Sequence, residues 1–152
     1  MNIALQRVCG GCTACCKTHA VYEIEKPVGK WCPHCEPSRE CRIYADRPKG
    51  CRGFRCEWLK GFGEEDDRPD KSGLVLDYIS FRPLIPRLFQ IWESRGGALR
   101  EAGVKELIDL SLRNCIPVVL FYSSGKREFF SGGMELSKEV EQAMRREKVK
   151  IL

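Results

Sequence analysis

Residues 9–16 read C-G-G-C-T-A-C-C, residues 31–35 read W-C-P-H-C, and residues 41–56 read C-R-I-Y-A-D-R-P-K-G-C-R-G-F-R-C. Nine of the chain's ten cysteines fall inside these 48 residues, a density that core packing does not explain. Two arrangements use so many: a disulfide framework, or metal held by thiolates. The opening M-N-I-A-L-Q-R-V has no apolar run long enough for a signal peptide, and no stretch is long enough to span a membrane. The sequence therefore points to the cytoplasm, where thiols stay reduced, and away from disulfides.

Spacing favours metal as well. Cys9-x2-Cys12-x2-Cys15 sets three sulfurs about a tight loop, the spacing of the first three ligands in bacterial ferredoxin runs. Gly10 and Gly11 suit such a loop, because glycine accepts positive φ and lets backbone N–H groups turn toward sulfur. Cys16 is expected to serve a second site or a bridge, since adjacent side chains diverge. His19 follows Cys16 at a spacing that could support ligation, although a polar packing role is the plainer reading. His34, inside the Cys32–Cys35 knuckle, is expected to point away from the metal.

The combination of Cys9, Cys12, Cys15 and Cys16, then Cys32, then Cys41-Arg42-Ile43-Tyr44, Arg47-Pro48 and Cys51-Arg52-Gly53-Phe54-Arg55-Cys56 resembles the YkgJ-type cysteine-cluster family, the zinc- or iron-chelating C-x-x-C-x-x-C-C domain. The resemblance covers roughly residues 9–59 and implies metal chelation. That family usually has eight cysteines, and Cys35 sits where its members commonly carry an apolar residue. A similar cluster in flagellin lysine-N-methylases is associated with an iron–sulfur cluster, but the resemblance carries no methylation over. The expected metal ligands are thus Cys9, Cys12, Cys15, Cys16, Cys32, Cys35, Cys41, Cys51 and Cys56, with Cys35 the least secure. Arg52 and Arg55, with Arg47, are interleaved with them and are expected to offset thiolate charge around the cofactor rather than to form a patch for an anionic partner. Ile43, Tyr44, Phe54 and Trp58 are expected to cover the cluster.

The remaining sequence is ordinary. Hydrophobic residues at 43% and charged residues at 31% in 152 residues suit one globular domain. The formal charge of +5 counts cysteines as neutral and so overstates the basicity of a metal-loaded protein. Residues 1–8 read as a lead-in, Val21–Ile24 as a short strand, and Glu64–Asp67 as a solvated acidic connector. From Ser72 the pattern becomes α+β. Strands are expected at Leu74–Phe81, Leu88–Trp92, Val118–Tyr122 and Glu128–Phe130. Helices are expected at 104–114 and from Ser137 onward, the latter ending in a solvated basic tail. Cys115 is expected to be a small buried hydrophobe. The fold class is therefore α+β: a cysteine-rich metal-binding module, residues 1–68, packed on a small, mainly antiparallel sheet with about two helices, residues 69–152.

No Gly-rich phosphate loop or Ser–His–Asp pattern is present, and the sequence leaves open whether the protein is an enzyme. Three function classes survive: an iron–sulfur protein in a redox or catalytic-support role, a structural zinc module for macromolecular interaction, and an iron- or zinc-handling protein. Soft thiolates serve zinc and iron alike, so the cofactor is an iron–sulfur cluster or zinc, with the ferredoxin-like triplet tilting toward iron–sulfur. A protein partner and the oligomeric state are left open. Neither a membrane nor nucleic acid is called for, since no aromatic-rich basic stripe accompanies the tail.

Overall fold

The computed structural model describes residues 6–152; the first five residues of the lead-in lie outside it. The fold is α+β. Five short or medium helices accompany a five-stranded mixed sheet and a two-stranded ribbon. In chain order the elements are α1 (Ala14–Thr18), β1 (Cys35–Glu36), β2 (Glu40–Cys41), α2 (Lys49–Gly53), α3 (Pro69–Ser72), β3 (Leu74–Phe81), β4 (Ile85–Glu93), α4 (Ala102–Arg113), β5 (Val118–Phe121), β6 (Arg127–Phe130), α5 (Lys138–Arg146) and β7 (Val149–Ile151). Among the described residues no helix is long and apolar enough to cross a membrane.

The main sheet runs in sequence order, β3-β4-β5-β6-β7. It is a mixed sheet in which antiparallel residue pairs are the more numerous. The β3–β4 and β5–β6 pairs are antiparallel, but β4–β5 and β6–β7 are parallel. Each parallel pair needs a crossover, which α4 and α5 supply. Both crossovers step the same way along the sheet while the strands they join run oppositely. A common hand then puts the two helices on opposite faces.

The side chains agree. Leu74, Phe89, Ile91, Val118 and Leu120 face one side and pack with Val104, Leu107, Ile108 and Leu112 of α4, whose apolar positions recur every three or four residues. On the other face Leu88, Val119 and Phe129 pack under Leu136 and Met144 around α5, where the Ser137 hydroxyl accepts from the Val140 N–H as an N-cap. Further along that same face, Val75 and Trp92 pack against Ala14, Cys56 and Trp58. The cysteine segment is therefore docked on the sheet through its own apolar residues. The Glu57 N–H also donates to the Leu76 carbonyl of β3 at 2.8 Å.

Four local expectations give way. The second strand begins at Ile85, not Leu88, because Ile79 pairs with Leu88 and Phe81 with Ile85, so β4 carries one extra residue there. Pro86, which lacks an N–H, is tolerated within that bulge. Val21–Ile24 is not a strand: Val21 and Lys26 form an isolated bridge around a 3₁₀ turn at Tyr22–Ile24. The basic tail is not all helix, since Val149–Ile151 pairs in parallel with β6. Cys115 is exposed, because the chain leaves α4 there with φ of 58°, in a left-handed turn.

Candidate metal centre

The cysteine segment is a set of loops pinned by short-range hydrogen bonds. Gly10, with φ of 55°, turns the first loop so that the Cys12 N–H reaches the Cys9 carbonyl at 2.9 Å. Cys15 and Cys16 lie on α1. The next loop returns to them: the Cys32 N–H donates to the Cys16 carbonyl at 3.0 Å, and the Cys35 N–H donates to the Cys32 carbonyl at 3.0 Å. Cys35 and Cys41 then face each other across the β1–β2 ribbon. Cys51 lies on α2, whose Gly50 N–H is held by the Glu23 carboxylate at 2.8 Å.

These pieces enclose a cavity of about 300 Å³ against the sheet. Eight thiol-bearing residues line it: Cys9, Cys12, Cys15, Cys16, Cys32, Cys41, Cys51 and Cys56. Every cysteine is a free thiol. Ile43, Tyr44 and Phe54 also line the wall, whereas Trp58 is buried behind it. Cys35 is not part of the lining. It is buried, and its thiol touches Cys16 and Thr13. Cys15 and Cys16, on the single turn of α1, both line the cavity, and Cys15 is the largest influence on the Cys16 thiol.

Among the described residues no three Cys, His, Asp or Glu side chains converge at the spacing of a bound ion. The thiols instead stand around the wall. Burial pushes Cys9, Cys12, Cys51 and Cys56 above the ordinary thiol range. Cys16 is raised most by its hydrogen bond with Cys15, then by burial. Cys35 is pushed up to about 12, by burial first and then by Cys16. These raised thiols keep their protons at neutral pH, and a cation that draws them together must displace those protons. The donor set, eight soft sulfurs around one mostly apolar cavity, fits iron–sulfur clusters or zinc and does not suit hard cations, which take oxygen ligands.

Of the three arginines, Arg47 is the one brought to the wall. It partly offsets the rise that burial and Cys12 impose on the Cys9 thiol, donates to the Tyr44 carbonyl at 2.9 Å and lies over the Tyr44 ring at 3.7 Å. Arg52 and Arg55 are exposed and stand off the cavity.

A second positive charge escaped the sequence reading. Lys26 is only 4% exposed, and its ammonium donates to the Lys17 carbonyl at 2.9 Å and to the His19 carbonyl, closing the end of α1. Burial lowers its pKa, while Cys32, Cys16, Cys15 and Cys51 pull the other way. Nothing in the local pattern marks this lysine apart from its neighbours.

His19 lines the cavity, and only one of its nitrogens has a hydrogen-bond partner. Nδ1 shares a 2.8 Å hydrogen bond with the Thr18 hydroxyl. Nε2 is buried without a hydrogen-bond partner, 3.5 Å from the buried Asp77 carboxylate. The ring sits between Phe54 and Trp92, with centroids 4.5 Å from each. Asp77 also accepts from Trp92 Nε1 at 3.2 Å. His34 is not in the lining, and its carbonyl accepts from the Arg42 N–H.

Comparison with known proteins adds nothing to this geometry: no protein-family model, no curated protein and no solved structure matches the chain.

Proposed function

We propose that this is a metal-binding cysteine-cluster protein, of the kind the YkgJ-type resemblance implies, in which Cys9, Cys12, Cys15, Cys16, Cys32, Cys41, Cys51 and Cys56 hold iron–sulfur. One observation carries the reading: eight thiols from four separate stretches of chain line a single cavity. The ferredoxin-like Cys9-x2-Cys12-x2-Cys15 spacing tilts the choice toward an iron–sulfur core over lone zinc ions. Bound there, an iron–sulfur cluster supplies one-electron chemistry or a Lewis-acidic iron. The chain's own part is to exclude water with Ile43, Tyr44 and Phe54 and to set the Lys26 and Arg47 charges against the thiolates. A cytoplasmic location belongs to the same reading, because these thiols must stay reduced.

Structural zinc is the second reading. It draws support from the Cys32–Cys35 knuckle and the Cys35–Cys41 pairing, a ribbon suited to a tetrahedral ion. Anaerobic purification followed by iron, sulfide and zinc analysis, with visible and electron paramagnetic resonance spectra, separates the two. A brown protein containing iron and acid-labile sulfide is expected. A colourless protein with stoichiometric zinc moves the assignment to zinc, and a fully reduced protein that retains neither metal ends the metal reading.

A further inference from the structure

On the other side of Trp92 from the cysteines lies a second cavity, of about 270 Å³, lined by Lys17, Lys30, Lys126 and Arg127. The two cavities share an aromatic partition. Phe54 and His19 line the cysteine side, while Trp92 and Phe121 line this one. Trp92 and Phe121 stack face to face, with centroids 3.6 Å apart and planes 4° from parallel.

Four cations against one lining carboxylate, Glu93, leave the cleft strongly positive. The Glu93 charge is already spent. One oxygen accepts from the Gly97 and Leu99 N–H groups at 2.8 and 3.2 Å, the other from the Ser123 N–H and hydroxyl at 2.9 and 2.8 Å. Lys126 is paired with Glu128 at 2.7 Å, and Arg127 only loosely with the exposed Glu147 at 3.6 Å. Among the described residues neither Lys17 nor Lys30 has a carboxylate partner. Lys17 donates to the Ser94 carbonyl at 3.0 Å, which leaves Lys30 as the cation without a partner among the described residues, and four cations around a concave, partly apolar site attract an anion.

The apolar wall says what the anion carries. Arg127 already lies over the Phe121 ring at 5.7 Å and Lys126 over the Tyr122 ring at 4.7 Å, so charge and aromatic faces alternate around the cleft. Its volume lies just under the range of about 300–1,000 Å³ usual for ligand pockets, which limits the occupant to about one ring and one charged group.

We propose that the cleft between the Ser123–Lys126 turn and the Lys17–Lys30 side of the cysteine segment binds a small aryl phosphate, its phosphate held by Lys30, Lys126 and Arg127 and its ring against Phe121. The anion chemistry of this site is the same whichever metal the cysteines hold, although its Lys17–Lys30 side needs the cysteine segment folded.

Titration calorimetry of the full chain as isolated tests it with three probes: phenyl phosphate, inorganic phosphate and phenol. Phenyl phosphate is expected to bind at least about tenfold more tightly than either fragment. It should shift the amide resonances of Ser123–Arg127 and Lys17. Lys30→Gln with Lys126→Gln should weaken it about tenfold or more, while Lys105→Gln with Lys138→Gln, on the helices outside the cleft, should change nothing. Lys30 is exposed and has no carboxylate partner, so Lys30→Gln alone, expected to cost about threefold, reads the cleft without touching the fold. Phenyl phosphate binding no better than inorganic phosphate overturns the proposal. So does equal weakening in the two double variants, or binding seen only with a polyanion such as heparin.

Discussion

Between Cys9 and Leu59 no helix exceeds five residues and no strand exceeds two; between Leu74 and Ile151 strands reach nine residues and helices twelve. The second region fills both faces of its sheet with Phe129, Ile91, Val75 and Val118, all fully buried. The first contributes few large apolar side chains to the core, and what it encloses is a cavity walled by thiols. Hydrophobic burial orders an element roughly in proportion to the apolar area it covers. The comparison therefore assigns different sources of order to the two regions: side-chain packing in the sheet, and whatever the sulfurs hold in the cysteine segment.

Metal removal is the largest blow to that comparison. Structural zinc contributes about 10–16 kcal/mol of apparent binding energy in finger peptides, enough to decide whether such a segment is folded. In a chelated, reduced sample, amide hydrogens of residues 9–59 should exchange several orders of magnitude faster, while those of β4 and β5 keep most of their protection. Equal protection with and without metal would show that the loops are ordered by their own hydrogen bonds and erase the distinction.

How much of each region was legible in the sequence follows the same division. Leu74–Phe81 reads correctly to the residue, because a dense run of apolar residues is bounded by Gly73 and Pro83, although only its first half is well buried. The two principal helices are legible from apolar spacing and the Ser137 cap. The start of β4 is hidden because Pro86 normally ends a strand, and only the register with β3 reveals the bulge. β7 is hidden because three residues with Lys150 in the middle carry no period of their own. In the cysteine segment the thiols are legible by type and spacing alone, and eight of them line one cavity. The groups around them are not. Lys26 and Arg47 reach the site through turns set by isolated backbone bonds, whereas proximity in sequence put forward Arg52 and Arg55, which point outward.

A smaller effect tests the sheet side. Glu93, buried at the end of β4, ties the loop before α4 and the β5–β6 turn to one carboxylate. Burial alone would raise its pKa, but the Ser123, Leu99 and Gly97 donors outweigh burial and hold it below the ordinary glutamate value. A depressed carboxyl gives stability that is present above the unfolded pKa, near 4.3, and lost as pH falls through the lower folded value. Glu93→Gln turns an amide N–H₂ toward two of those donors and should cost about 1–3 kcal/mol at pH 7. The gap to wild type should close below about pH 4 in urea titrations, with metal content unchanged. A gap that persists undiminished in acid would mean that shape, not charge, holds the two loops together.

The smallest expected effect separates lining from backing within the cysteine segment itself. Cys35 is buried, touches Cys16 and sits outside the cavity that the other eight share. Burial, then Cys16, pushes its thiol up to about 12. Cys51, on the wall, is also raised, first by burial and then by Cys16, Cys32 and Cys41, the mutual repulsion that a shared cation would relieve. Cys35→Ser keeps a donor against Thr13 and Cys16 and should leave iron or zinc content within error, lowering stability by about 1 kcal/mol through a poorer fit in an apolar site. Cys51→Ser replaces a soft ligand with a hard, weakly acidic one and should lower metal content measurably in the same preparation. If both variants lose metal equally, the ligand set has nine members or is drawn differently, and the β1–β2 ribbon belongs to the metal centre rather than behind it. The difference between these two serines in metal content, read beside their melting temperatures, locates the boundary between the part of the segment ordered by sulfur and the part ordered by packing.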